Sequence, residues 1–244
     1  MSNKEIKGEA ATVASVERAL EILDAFEGAP ASLSLAELST RTGLYKSTLL
    51  RLIDTLIKYE FLIRQGDGSY QIGPRPFLLG ARYQSSVIPA EWILPVLRGL
   101  TEATGESASF NVRSGDSRVC LLRVDSPHMI RDHTQPGDIR PLGKGAAGKL
   151  LLAFAMPEDP MYEALRRHPI SYSDGEIEAE MAGIGVPVFD VEKKVRGVLT
   201  LSGPRSRFTP VKVKQMEQAL WQAGMDLTKR IGGNMDHFKS LSAP

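Results

Sequence analysis

The sequence predicts an α+β protein built from two unlike parts, and three observations carry that expectation. Residues 33–70 show two short helical periodicities broken at Gly43, then two strand-like runs around Gly66-Asp67-Gly68. From residue 90 onward, pairs of strand-like runs joined by turn signals stand between helical segments, the pattern of an antiparallel sheet carrying helices on its faces. The chain has 244 residues, 42% apolar and 24% charged, which is ordinary globular composition and enough for one large domain or two modest ones.

Residues 1–12 are polar and aperiodic and are expected to form a disordered arm. Ser15 is expected to cap the first helix, with Val16, Ala19, Leu20, Leu23 and Phe26 turned inward and Gly28-Ala29-Pro30 ending it. Ser34 and Glu37 stand three apart before Leu38, a capping box that starts a second helix, which Gly43 stops because it can adopt the left-handed conformation. The third helix, over 45–58, has Leu49, Leu52, Ile53, Leu56 and Ile57 on one side and Ser47, Arg51, Asp54, Thr55 and Lys58 on the other. Runs over 61–65 and 69–72 then form a hairpin. Helix, tight turn, helix and hairpin make residues 13–73 a winged helix-turn-helix.

The exposed side of that third helix begins with small hydroxyls and cations, which suit phosphate oxygens and base edges in a DNA major groove. A net charge of +1 is no footprint for nucleic acid, yet Arg41, Lys46, Arg51, Lys58 and Arg64 outnumber Asp54 and Glu60 on the proposed face. The candidate contacts to double-stranded DNA are Arg18, Ser34, Arg41, Tyr45, Lys46, Ser47, Thr48, Arg51 and Arg64. An amphipathic helix pair with no partner is the plainer alternative.

Residues 74–89 read as a linker, Pro74-Arg75-Pro76 leading into a helix over 77–86 that shows Leu78, Leu79 and Tyr83 on one side. Too short to bury that side alone, the helix is expected to pair two subunits, leaving dimer or tetramer open. Residues 90–244 form the second domain. Helices are expected over 92–103, 145–154, 162–167 and 210–231, hairpins over 107–113 with 118–124 and over 183–189 with 195–202, and a further strand over 130–134.

The loop Pro141-Leu142-Gly143-Lys144-Gly145-Ala146-Ala147-Gly148-Lys149 has phosphate-loop spacing, which raises a nucleotide-binding enzyme as a rival. Leu150 stands where that motif needs a magnesium-binding hydroxyl, so the spacing fails. What survives is a helix start made of small residues, whose bare N–H groups and dipole suit a carboxylate or a phosphate. The same residues also suit close packing of helix on sheet. Asp174 with Glu176, or Ser173 and Ser202, could serve a hydrolase, but no nucleophile and base pair is evident and no enzymatic activity is expected. One cysteine, Cys120, and four dispersed histidines give no ligand spacing, so neither metal nor cofactor is expected. With no signal-peptide core and no apolar run of about 20 residues, a cytoplasmic protein without membrane partners is expected.

Ala14-Ser15-Val16-Glu17-Arg18-Ala19-Leu20, Leu35-Ala36-Glu37-Leu38, Thr42-Gly43-Leu44, Lys46-Ser47-Thr48 and Arg51-Leu52 resemble, in order and spacing, the DNA-binding half of the IclR (isocitrate lyase regulator) family. Val112-Arg113 with Gly115-Asp116, Pro141-Leu142, Ala147-Gly148-Lys149, Ser173-Asp174-Gly175-Glu176, Pro187-Val188-Phe189-Asp190 and Leu201-Ser202-Gly203-Pro204 resemble its GAF-like effector domain. The resemblance spans about residues 13–231. It implies a transcriptional regulator whose effector, a small aliphatic or aromatic carboxylic acid, sits between the sheet and the small-residue helix start. Carried over position by position, it nominates Leu142, Gly145, Ala146 and Ala147 at the helix start, Asp190 as a polar wall, and Thr200 and Ser202 as inward hydroxyls, with Phe110 and Cys120 on the neighbouring hairpin. One departure stands out: only residues 156–172 lie between the small-residue helix and Ser173, where the family usually has a longer segment with an additional helix.

Overall fold

The computed structural model describes residues 12–239, so the expected arm falls almost wholly outside the described residues. Two compact units divide between Tyr83 and Gln84. The first contains α1 (Ala14–Asp24), β1 (Ser32–Leu33), α2 (Leu35–Thr42), α3 (Lys46–Lys58), β2 (Leu62–Arg64) and β3 (Tyr70–Ile72). The division falls inside α4 (Pro74–Val87).

The capping box forms as the spacing predicts: Glu37 N donates to Ser34 Oγ at 3.3 Å, and Glu37 Oε2 accepts from Ser34 N at 2.8 Å. Gly43 ends α2 at φ 70°, the left-handed conformation that lets α3 start three residues later. Ile22, Leu33, Leu38, Leu49, Ile53, Leu56, Leu62 and Tyr70 make the core of this unit. Two expectations for α1 fail. Its cap is Val13 without a side-chain bond, not Ser15. Its buried stripe is Ala19, Ile22, Leu23 and Phe26, while Val16 and Leu20 are 55% and 54% exposed. The i, i+3, i+4, i+7 row that meets α2 and α3 is centred on Ile22, which turns Val16 and Leu20 off it. An unforeseen strand, β1, pairs Leu33 with Tyr70 and makes the wing three-stranded, in the order β1-β3-β2. Two residues are too few to show a period.

The second unit holds α5 (Ala90–Thr104), β4 (Ser107–Ser114), β5 (Ser117–Val124), β6 (Ile139–Pro141), α6 (Gly145–Ala155), α7 (Glu163–Arg167), β7 (Ser171–Asp174), β8 (Met181–Phe189), β9 (Val195–Pro204), α8 (Pro210–Arg230) and α9 (Asp236–Lys239). Six strands form one antiparallel sheet in the order β6-β5-β4-β9-β8-β7. On one face Phe110, Ile184, Val186, Leu199 and Leu201 pack against Leu97 and Leu100 of α5 and Met216, Leu220 and Leu227 of α8. On the other, Val198 meets Ala147, Leu150 and Leu151 of α6. The expected strand over 130–134 is absent. Those residues are loop, and the sixth strand is instead β6, paired to β5 through Ile139 and Val119. β7 and α9 were not expected either. The short segment after α6 is a single 3₁₀ turn, Pro160–Tyr162, plus α7, held by Arg166 donating to the carbonyls of Ala153, Met156 and Asp159.

The pairing of β4 with β5 is interrupted by a bulge. Phe110 stands opposite Leu122, but Asn111 stands opposite Cys120, with Leu121 the extra residue between them. A strand alternates faces residue by residue, and one extra residue reverses that parity beyond it. Arg118, Cys120 and Arg123 therefore share the α6 face of the sheet with Ser109 and Asn111, while Leu121 and Leu122 both enter the opposite core.

Candidate functional site

In the first unit α3 buries Leu49, Ile53 and Leu56 and presents Lys46, Ser47, Leu50, Arg51, Asp54, Thr55 and Lys58 to solvent. Its first turn contains no acidic residue, so the uncovered N–H groups and the cations of Lys46 and Arg51 offer one positive end to a phosphate. Tyr45, the residue before the helix, is 83% exposed. Thr48 is half-buried; Arg18 on α1 and Arg64 on β2 are exposed. Two nominated groups are already engaged. The Ser34 hydroxyl belongs to the capping box, and Arg41 donates to the Ala25 carbonyl at 3.1 Å. Leu50 was missed. It lies between Ser47 and Asp54 on the solvent face and is 42% exposed, an apolar group of the kind that meets a thymine methyl.

In the second unit a cleft of about 620 Å³, counted out to its open mouth, lies between the sheet and the start of α6. Gly145, Ala146 and Ala147 form one wall, and Ser109, Asn111, Ser173, Thr200 and Ser202 form a floor of polar side chains. The floor is internally bonded: Ser109 and Thr200 hydroxyls meet at 2.8 Å, and Asn111 Nδ2 donates to Thr200 Oγ1 at 3.1 Å. Helix geometry leaves the amides of Ala146 and Ala147 without acceptors inside α6. The Gly145 amide is taken by Glu176 Oε2 at 3.0 Å, a carboxylate also held by Lys149 at 2.6 Å.

Two guanidinium groups dominate the cleft, and neither was nominated from the sequence. Arg118 is 8% exposed, donates from Nη1 to Asn111 Oδ1 at 2.7 Å, and has its buried Nε without a partner. Its Nη2 lies 3.7 Å from where a side chain on Gly145 would begin. Burial first, and then the like charge of Arg140, push its pKa down. The Arg123 side chain is 3% exposed; it bonds Asp125 and Asp132, and its buried Nη1 is without a partner. Asp132, on the 125–138 loop, also accepts from Ser202 at 2.5 Å. A buried donor left unpaired is costly, so both arginines are held beside the cleft against a desolvation penalty. At the mouth Arg140 pairs with Glu178 at 3.6 Å.

Of the nominated effector residues, Gly145, Ala146, Ala147, Thr200 and Ser202 line this cleft. Phe110 does not. It faces the opposite core, its ring so close to Gly197 that a methyl group there would sit 2.2 Å from Cζ. Leu142 packs with α6 in the cluster around Leu150. Cys120 shares the face but is sealed, its Sγ 3.7 Å from the Leu122 carbonyl and its thiol pushed up to about 11 by burial. Asp190 closes the β8–β9 turn, its Oδ1 accepting from the amides of Glu192 and Lys194 at 2.9 Å. That places it about 23 Å along β8 from Gly183 in the cleft, at roughly 3.3 Å per residue.

Residues 15–66 match the IclR helix-turn-helix domain, and residues 85–168 and 160–229 match the bacterial transcriptional regulator IclR C-terminal domain. The chain is 23% identical to the HTH-type transcriptional regulator KipR of Bacillus subtilis, covering 89% of this chain and 97% of that one. It is 25% identical to the transcriptional repressor IclR of Escherichia coli, with 91% of each covered. The same fold occurs in an IclR homolog from Microbacterium hydrocarbonoxydans complexed with 4-hydroxybenzoate, at a TM-score of 0.76 and 21% identity over 90% of this chain and 99% of that one.

Proposed function

This chain belongs to the IclR family of bacterial transcriptional regulators, and we propose that it is an acid-responsive member, its operator affinity set by a small carboxylic acid in the cleft beneath α6. The carrying observation is that Arg118 and Arg123 line the cleft beside the start of α6, with an amide oxygen and no carboxylate as the acceptor of Arg118. An aliphatic or aromatic acid supplies the carboxylate that Arg118 lacks, with the Ala146 and Ala147 amides adding the positive end of a helix. The 4-hydroxybenzoate bound by the Microbacterium relative is an acid of this class.

The operator side of the proposal is α3 in a major groove, with Lys46 and Arg51 on phosphates and Leu50 at a base edge. Subunits pair through α4, where Phe77, Leu78 and Leu79 are 76%, 49% and 45% exposed on one chain. The acid regulates by preferring one arrangement of the paired reading heads, since only differential affinity shifts DNA binding. The working place of such a protein is the cytoplasm; no described helix is long and apolar enough to cross a membrane.

A binding role suits the cleft better than an enzymatic one. Among the described residues no histidine lines it, and the only thiol nearby, Cys120, is held protonated. The test is a mobility-shift titration of DNA flanking the protein's own gene, with and without a panel of small acids. An acid that changes operator affinity, and loses its effect in Arg118→Gln, supports the reading. Operator binding indifferent to every acid overturns it.

A further inference from the structure

We propose that the acid is a short dicarboxylate, with one carboxylate on Arg118 at the start of α6 and the other on Arg123, where it displaces Asp132. This rests on the cleft being the effector site, and it names the ligand class.

The two guanidinium heads occupy separate stations. Arg118 is tied to Asn111 of β4, whereas Arg123 is tied through Asp132 to Ser202, which pairs with Ser107 of β4. Asn111 and Ser107 are four residues apart on one strand, about 13 Å at roughly 3.3 Å per residue. A single carboxylate reaches only one of the two guanidinium groups. An acid with two ends engages both, its middle lying over the hydroxyls of Ser109 and Thr200.

Charge gives the same result. Arg140 is balanced by Glu178 at the mouth, and Arg123 by Asp132, with Asp125 shared between Arg123 and Arg131. Arg118 has an amide oxygen and no carboxylate as its hydrogen-bond acceptor. One ligand carboxylate neutralises Arg118. A second balances only if a resident carboxylate leaves, and Asp132 is the one placed to do so. It comes from the 125–138 loop, which is outside any strand at that point and has Met129 96% and Ile130 71% exposed. Asp132 on Arg123 and Ser202 is then the tethered stand-in for the ligand's far end. Its release loosens the loop at that point, between the Ile130 carbonyl held by Arg207 and Gly137 bonded to Cys120, so that ligand length and charge are read together.

The experiment is calorimetry on the full chain with the α,ω-diacids from malonate to pimelate and terephthalate, each against its own monomethyl ester. One diacid is expected to bind about tenfold or more tightly than its ester, the factor set by one charge-assisted hydrogen bond. Asp132→Asn, which removes the internal competitor, is expected to tighten diacid binding and leave the ester unchanged. Diacid and ester binding alike, with both weakened in Arg118→Gln, overturns the two-ended ligand and leaves the effector cleft standing. Diacid binding weakened by Asp132→Asn overturns the displacement. If no acid binds, or if Arg118→Gln changes nothing, the cleft reading fails and this inference with it. The comparison of acid with ester is made on the unaltered protein, so it does not depend on any variant folding.

Discussion

Asn111 and Arg118 meet across the β4–β5 pair, with Arg118 Nη1 donating to Asn111 Oδ1 at 2.7 Å and both residues buried. The amide of Asn111 orients the guanidinium without neutralising it, because its Nδ2 is turned to Ser109 and Thr200. Replacing the amide oxygen by a carboxylate would supply the missing charge internally. Asn111→Asp is expected to fold, with Ser109 and Thr200 donating in place of Nδ2, and to lower acid affinity by about tenfold or more. Calorimetry with the tightest-binding acid is the check, and an unchanged affinity would show that Arg118 does not hold the ligand.

On the operator side, Lys46→Ala and Arg51→Ala should each weaken DNA binding. Where the lost contact is to phosphate, the slope of log affinity against log salt falls by about one unit. Fluorescence anisotropy over a salt series reads this directly. A weakened complex with an unaltered slope would move that residue from phosphate to base contact.

Ser34→Ala separates a cap from a contact. The hydroxyl is spent on Glu37, so the expected loss is about 1 kcal/mol of local stability in α2. Hydrogen exchange of the α2 amides should show it, while the salt slope of operator binding stays where it was. A reduced slope would return Ser34 to the DNA interface.

Cys120 should ignore thiol reagents in the native protein at pH 8. Its thiol is buried and pushed up to about 11, which leaves on the order of one part in a thousand as thiolate. Labelling should appear only with unfolding in denaturant. Rapid labelling of the native chain would contradict the sealed position described for it.

His237 gives the second domain a pH dependence. Its ring stacks on Phe189 at 4.4 Å, and burial, helped by Lys193 and opposed by Asp236, lowers its pKa from 6.5. A depressed folded value means that the folded state resists protonation. The stability it contributes is present above pH 6.5 and is lost as pH falls toward the folded pKa. His237→Phe, which keeps the stacking, should flatten thermal stability between pH 7 and pH 5, and an unchanged slope would discount the ring.

Much of this molecule is legible in its sequence where the physics is local. The capping box at Ser34, the left-handed stop at Gly43 and the three long hairpin turns depend on residues a few positions apart, and each lies where the spacing puts it. The small-residue start of α6 is likewise a local signal, and the cleft opens against it. Apart from the cap of α1, where Val13 stands in place of Ser15, the misses are non-local. Ile130 to Thr134 has the composition of a strand, but Asp138 and Ile139 hold the sheet edge, and Asp132 is spent on Arg123 and Ser202. Asp190 sits beside a strand that does reach the cleft, but at its far end. Arg118 and Arg123 are an odd number of residues apart and, on strict alternation, should face opposite ways.

That last pair shows how a pocket's charge can be rewritten without exchanging a single amino acid for another. Deleting Leu121 would remove the bulge and leave both arginines on the cleft face, whereas one residue added between Phe110 and Asn111, opposite Leu121, would restore strict alternation and turn Arg118 and Asn111 away from Arg123. The number of arginines facing the cleft is thus open to change by the insertion of one codon at this point, a shorter evolutionary step than rebuilding the wall of the pocket.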